Sequence, residues 1–186
     1  EYVRRFLDRL PDAEETAAVV RVCNELGMPV TPRGAGTGLS GGSVPTRRGV
    51  VIGTSRMRRI LEIDAANRIA VVEPGLPNIQ LSEAAATHGL FYAPDPSSQK
   101  ACTIGGNVAE NAGGPHCLAL GVTQNHVIGI EVVTAAGDVV WLGGRVPDAF
   151  GYDLRGAFIG SEGTLGIVTK VVCRLLPLPA SVVTLL

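Results

Sequence analysis

Residues 32–42 read "PRGAGTGLSGG". Glycines fall at alternate positions, Gly34, Gly36 and Gly38, and Gly41 and Gly42 follow. Arg33 stands near the head, and no acidic residue enters the run. Backbone this bare lets consecutive N–H groups curl around an anion, because no side chain blocks the approach. Thr37 and Ser40 can add hydroxyl donors. On this stretch alone, the alternative is a flexible surface loop. A dinucleotide fingerprint of the doubly wound kind fails on context, since that motif opens directly into a helix. Here Pro45 and a β-rich run, "GVVIGT" (49–54), follow instead.

The chain holds 24 glycines in 186 residues, above the ordinary share of about 7%. They cluster again at 105–114 and at 160–166. The segment "PDPSSQKACTIGGNVAENAGGPHC" (94–117) is polar and glycine-rich, yet lies between apolar strands. A loop of that length inside a compact domain is usually functional. Ser97, Ser98, Thr103, Asn107 and Asn111 in it can hydrogen-bond a heterocycle or a polyol. "GSEGTLGIVT" (160–169) sets Glu162 between glycines at the start of a strand.

Around these clusters the periodicity predicts a helix over 12–26. Asp12 caps it, Glu15 stands three residues on, and Gly27 ends it. "MPVTP" is a short strand leading into the glycine run. Residues 60–75 read as a hairpin turning near Ala65-Ala66-Asn67. A helix from Pro77 stops at Gly89, and "LFYAPDPSS" passes from strand to loop. Residues 103–121 mix loop with short helix. A second hairpin turns at Ala136-Gly137-Asp138, and "LGIVTKVVCRLLPLP" is a last long strand. Strands outnumber helices and hairpins outnumber βαβ crossovers, so the fold class is α+β with a mixed sheet. No internal repeat is visible.

Hydrophobic residues make up 46% and charged residues 18% of the chain, with a formal net charge of −1. One globular domain, or two small subdomains sharing a core, fits that size. Arg47-Arg48 and the Arg56 to Arg59 group read as solvated faces, not as the basic stripe that nucleic acid requires. No apolar run reaches the ~20 residues of a membrane helix, and no signal peptide opens the chain. The chain starts at Glu1 without Met, which fits a piece of a longer protein. Cys23, Cys102, Cys117 and Cys173 form no CxxC pair. They read as reduced thiols of a cytoplasmic protein. With His88, His116 and His126 they make no metal-ligand spacing, so no metal is expected.

The three glycine-rich stretches, with "GYDLRGAFIGSEGTLGIVT" (151–169) as the full third, resemble the flavin-binding domain of the vanillyl-alcohol oxidase / p-cresol methylhydroxylase superfamily. Within it, the FAD subunit of glycolate oxidase and the D-lactate dehydrogenases are most similar. The motifs cover about a quarter of the chain, and their order and spacing fit nearly all of it. The resemblance implies a PCMH-type domain of two α+β subdomains, about 1–55 and 56–186, holding FAD non-covalently. It implies a reaction in which a D-2-hydroxy acid, of glycolate or D-lactate type, gives a hydride to flavin N5. A base would take the hydroxyl proton. A substrate domain beyond this chain would supply most catalytic side chains, and no catalytic residue is assigned here. An iron–sulfur or other electron-transfer subunit is a possible partner. A stand-alone flavin-binding module, or the FAD domain of another superfamily reaction such as lactone oxidation or ether-lipid alkyl transfer, are the alternatives.

By the same resemblance, Pro32, Arg33, Gly34, Ala35, Gly36, Thr37, Gly38 and Leu39 cradle the pyrophosphate, with Gly41 and Gly42 close by. Pro94, Asp95, Pro96, Ser97 and Ser98 pass near the isoalloxazine. Thr103, Ile104, Gly105, Gly106, Asn107 and Ala109 line the ribityl and pyrophosphate side, and Asn111, Gly113 and Gly114 extend that wall. Glu162 sits beside the nucleotide end, and Gly166, Ile167 and Val168 offer backbone partners to the flavin. Thr37 stands where covalent members often carry a flavin-linking histidine, which argues against that bond. Cys102 reads as a packing residue rather than a thioether link. His116 and His126 read as packed or surface histidines rather than the base.

Overall fold

The local signals at the start of the chain set its first elements. The computed structural model describes residues 3–7, 10–45, 49–146, 151–181 and 183; Arg47 and Arg48 lie outside them. Strand β1 (Val3–Leu7), to which the sequence reading assigns no element, precedes helix α1 (Ala13–Glu25). Asp12 caps α1, its side chain accepting the Glu15 N–H at 2.9 Å. Gly27 leaves the helix at φ +59, the left-handed region that glycine adopts without a Cβ penalty.

Strands β2 (Val30–Arg33) and β3 (Gly49–Gly53) flank the first glycine run. They pair in parallel, Val30 with Val50 and Arg33 with Gly53. Parallel neighbours need a crossover of a dozen or more residues, and here the glycine run serves as that crossover, with no helix among its described residues. β1 joins the other side of β3, also in parallel, giving the order β1-β3-β2.

The rest of the chain builds on hairpins. β4 (Ile60–Asp64) and β5 (Ile69–Val72) form the first, followed by helix α2 (Asn78–Ala86) and short β6 (Leu90–Phe91). Helices α3 (Ile104–Glu110), α4 (Cys117–Leu120) and α5 (Thr123–His126) occupy the long polar segment. β7 (Val127–Thr134) and β8 (Val139–Gly143) form the second hairpin. Helix α6 (Leu154–Phe158), β9 (Gly166–Arg174) and β10 (Leu176–Pro177) complete the described chain. The larger sheet is antiparallel throughout, in the order β4-β5-β9-β7-β8, while β6 pairs with β10. Parallel and antiparallel pairings are thus both present but divide between separate sheets: hairpins generate the large one, crossovers the small one.

The main core lies on one face of the antiparallel sheet. Ile130, Val132 and Val171 from the sheet pack with Leu81 and Ala85 of α2, Ile104 and Val108 of α3, and Tyr92. Leu81, Ile104 and Ile130 are fully buried, and each contributes about 1.5–3 kcal/mol. A second core joins Ala17, Val20 and Cys23 of α1 to Val50 and Ile52 of β3 and to Val133 and Ile167 of the large sheet. α1 therefore couples the two sheets. That coupling holds the glycine crossover against α3 and the start of β9.

Candidate functional site

Three segments meet at one cleft: the glycine crossover, the stretch from Ser98 through α3, and residues 158–168 entering β9. Of the residues singled out by sequence, Pro32 to Leu39, Gly42, Ser98, Thr103, Gly105, Gly106, Asn107, Ala109, Glu162, Gly166, Ile167 and Val168 line it.

The crossover presents its backbone to the cleft. Among the described residues, no backbone N–H from Gly34 to Ser43 finds a protein acceptor. Gly36 has φ +71, and a Cβ there would lie 2.6 Å from the Arg33 guanidinium. Arg33 thus folds back over the loop it leads into. Free N–H groups beside a guanidinium suit an anion with several oxygens.

The second glycine pair works differently. Gly105 N–H donates to the Pro74 carbonyl at 2.7 Å, and Gly106 N–H to Thr103 Oγ1 at 3.3 Å. Ile104 N–H donates to Leu76 and Asn107 N–H to Thr103. The N-terminal donors of α3 are therefore consumed within the protein, and what its glycines offer is close approach. A Cβ on Gly105 would strike Pro74, whereas one on Gly106 would meet only Thr103 Oγ1, at 3.3 Å. Asn107 is 1% exposed, and its Nδ2 is buried without a partner. A buried amide left unpaired is costly, and this one belongs to a residue of the cleft wall.

Carboxylates also reach the cleft. Glu162 adopts φ +54, its N–H donating to Ala109 at 2.8 Å, and a Cβ on Gly42 would lie 2.8 Å from its Oε2. A Cβ on Gly38 would collide with the Glu110 carboxylate, and Ser40 Oγ donates to Glu110 Oε2 at 3.0 Å. Cys102 lines the cleft at 3% exposure. Burial pushes its thiol up, opposed by Ser98 and Asn107. Thr37 lines the cleft as well, exposed.

The remaining sequence-selected residues support the cleft from outside its lining. Ile104 is fully buried in the main core. Pro94 accepts from Asn78 Nδ2 at 3.0 Å, and Asp95 meets His116 Nδ1 at 2.5 Å. A Cβ on Gly114 would collide with the Asp95 carbonyl, and one on Gly113 would stand 3.0 Å from Val122. These contacts pin the 94–96 loop to the 113–114 turn; Pro96 is buried and Ser97 exposed. Asn111, left-handed at φ +48, ends α3 and accepts the Gln124 N–H at 3.0 Å. Gly41 is exposed.

The cleft also holds residues that sequence reasoning passed over. Glu110 and Ser161 lie inside the recognised motifs and were legible there as polar groups. Thr54, Pro74 and Phe158 reach the cleft only through the tertiary fold. Neither histidine weighed as a base lines it. His116 is exposed on Asp95, and His126 is buried with Nε2 against the Leu120 carbonyl at 2.7 Å. Among the described residues, no three His, Cys, Asp or Glu side chains converge as a metal site, and all four cysteines are free. No helix among them is long and apolar enough to cross a membrane.

A family described as FAD binding domain matches residues 7–143. The chain is 51% identical over 166 residues to the glycolate oxidase subunit GlcD of Escherichia coli (strain K12), covering 89% of this chain and 33% of that protein. It is 47% identical over 185 residues to GlcD of Bacillus subtilis (strain 168), covering 95% and 39%. With the D-lactate dehydrogenase of Archaeoglobus fulgidus it shares 44% over 167 residues, covering 89% and 37%. The chain thus spans little more than a third of the length of these curated relatives. A solved alkyldihydroxyacetonephosphate synthase superposes with a TM-score of 0.80 at 24% identity, covering 96% of this chain and 32% of that one, a likeness of fold.

Proposed function

The chain belongs to the FAD binding domain family, and we propose that it is the cofactor-holding part of a flavoprotein that oxidises a D-2-hydroxy acid of the glycolate or D-lactate type. FAD is the cofactor of this family. The single observation that carries the site assignment is the run of N–H groups from Gly34 to Ser43 without protein acceptors among the described residues. That run fits a diphosphate, with Arg33 supplying positive charge and Thr37 a hydroxyl. The bare Cα of Gly106 fits a closely approaching group on the opposite wall.

Bound FAD supplies a two-electron acceptor for the substrate's α-hydrogen. The residues of this chain bind and orient. The Gly34–Gly38 backbone fixes the anionic end, and buried Ile167 with half-buried Val168 close the cleft floor to water. Attachment is non-covalent, since Thr37 offers no linking imidazole and burial keeps the Cys102 thiol protonated. The proton-accepting base comes from the part of the longer protein beyond this chain. The domain divides into subdomains near residue 55. Both GlcD relatives are named as subunits, which supports an enzyme working with a partner; the partner is inferred to be an electron-transfer subunit such as an iron–sulfur protein, and the location to be the cytoplasm.

The test is a visible spectrum of the purified protein after incubation with FAD and desalting, followed by acid precipitation. A flavin spectrum whose colour moves to the supernatant is the expected result. Colour held in the pellet refutes non-covalent binding, and a colourless folded protein means either that the rest of the longer protein is needed to hold the flavin or that the glycine clusters serve something else. For the reaction, anaerobic bleaching of the full-length protein by D-lactate or glycolate is expected. The absence of bleaching with every D-2-hydroxy acid tried would remove the substrate class.

A further inference from the structure

The charge balance of the cleft runs against its ligand. Among the described lining residues Arg33 is the one cation, while Glu110 and Glu162 bring carboxylates to the glycine crossover. Glu110 closes the short helix α3 and is half-buried. Its carboxylate lies against the Cα of Gly38 and takes the Ser40 hydroxyl at 3.0 Å. No cation among the described residues pairs with it. Half-buried and without a counter-ion, the carboxylate keeps part of its hydration and lies beside the free N–H groups of the crossover. Those N–H groups are the same donors that the diphosphate reading requires.

We propose that Glu110 is an internal competitor of the cofactor's diphosphate, occupying the mouth of the glycine crossover and setting FAD affinity downward. The inference rests on the diphosphate reading of the crossover. Gly38 permits the approach, since any Cβ there would push the carboxylate aside. Ser40 holds the carboxylate in place by a neutral hydroxyl, a weaker partner than a cation. When the diphosphate occupies the crossover, Glu110 either swings away or stays within a few ångströms of a like charge. Either course subtracts from binding.

The test titrates FAD into the protein and its E110Q variant, which keeps side-chain volume and removes the charge. FAD affinity is read by flavin fluorescence, and melting temperature serves as the check on folding. E110S, which removes the charge at smaller volume, is the second variant should E110Q fold poorly. One unit charge about 4 Å from another in water is worth roughly a fivefold change in affinity, so E110Q should bind FAD about fivefold tighter at low salt. The gain should shrink at about 1 M salt, where the screening length is near 3 Å. Riboflavin, which lacks the diphosphate, should bind both proteins alike. Equal or weaker FAD binding by E110Q, or an equal gain for riboflavin, overturns the proposal. Retention of FAD by G106V, measured beside it, would instead overturn the cleft assignment on which it rests.

Discussion

Two adjacent glycines of α3 should respond oppositely to added carbon, and the contrast separates packing from binding. At Gly105 a Cβ would stand 2.6 Å from Pro74 Cβ and 3.1 Å from the Pro74 carbonyl. The N–H of Gly105 is also fixed on that carbonyl at 2.7 Å. Overpacking of this kind costs about 1–3 kcal/mol, and the gain in helix propensity from Gly to Ala offsets roughly 1 kcal/mol. Gly105→Ala should therefore lose up to about 2 kcal/mol, or up to about 8 °C in melting temperature for a domain of this size. At Gly106 the only neighbour is Thr103 Oγ1 at 3.3 Å, a mild contact that the same propensity gain offsets. Gly106→Ala should melt at or slightly above the parent temperature. Gly106→Val keeps the fold but projects two methyl groups into the cleft, and FAD affinity should fall at least about tenfold, roughly 1.4 kcal/mol. Thermal melts and FAD titrations on the three variants decide it. Wild-type FAD affinity in Gly106→Val would refute the cleft as the cofactor site. A Gly105→Ala protein as stable as Gly106→Ala would refute the packing argument.

Burial, which Arg174 reinforces, holds the His126 imidazole below its ordinary range despite its bond to the Leu120 carbonyl. With the native value depressed, the unfolded chain takes up the proton more readily. Stability is then full above about pH 6.5 and is lost as pH falls through the native value. Melting temperatures between pH 8 and pH 5 should decline, His126→Gln should flatten that decline, and an unchanged slope in the variant would refute the assignment. Alkylation of the native protein by iodoacetamide, followed by peptide mapping, should mark Cys117 first, the only exposed thiol among the described cysteines. Burial raises the Cys23, Cys102 and Cys173 thiols, so early labelling at any of these three would contradict the core as described.

The site was legible where its chemistry is local and obscure where it depends on partners far along the chain. The glycine crossover stands out in the sequence because bare backbone is itself the signal. The same pattern marks Gly36 as a place to block an anion, yet its φ of +71 and the guanidinium against it mean that a side chain there would strain the loop as well as block the approach. Gly105 and Gly106 look equivalent as letters, but one packs on Pro74 and the other opens to the cleft. Glu110 reads as an ordinary helix carboxylate until the fold brings it to Gly38.

What the sequence determined by itself are the features written in neighbouring residues. Asp12 caps α1, the two hairpins turn where glycine, aspartate and asparagine permit, and alternating glycines leave donors free between β2 and β3. Each depends on backbone conformation or on side chains within a few residues, so the chain carries its own evidence. Tertiary structure alone decided the parallel docking of β1, the segregation of parallel and antiparallel strands into separate sheets, and the closure of α3 against Pro74. It also decided that the Ile104 and Gly105 N–H groups are consumed, by the Leu76 and Pro74 carbonyls. These outcomes depend on pairings between residues tens of positions apart, whose register and distance no local pattern encodes.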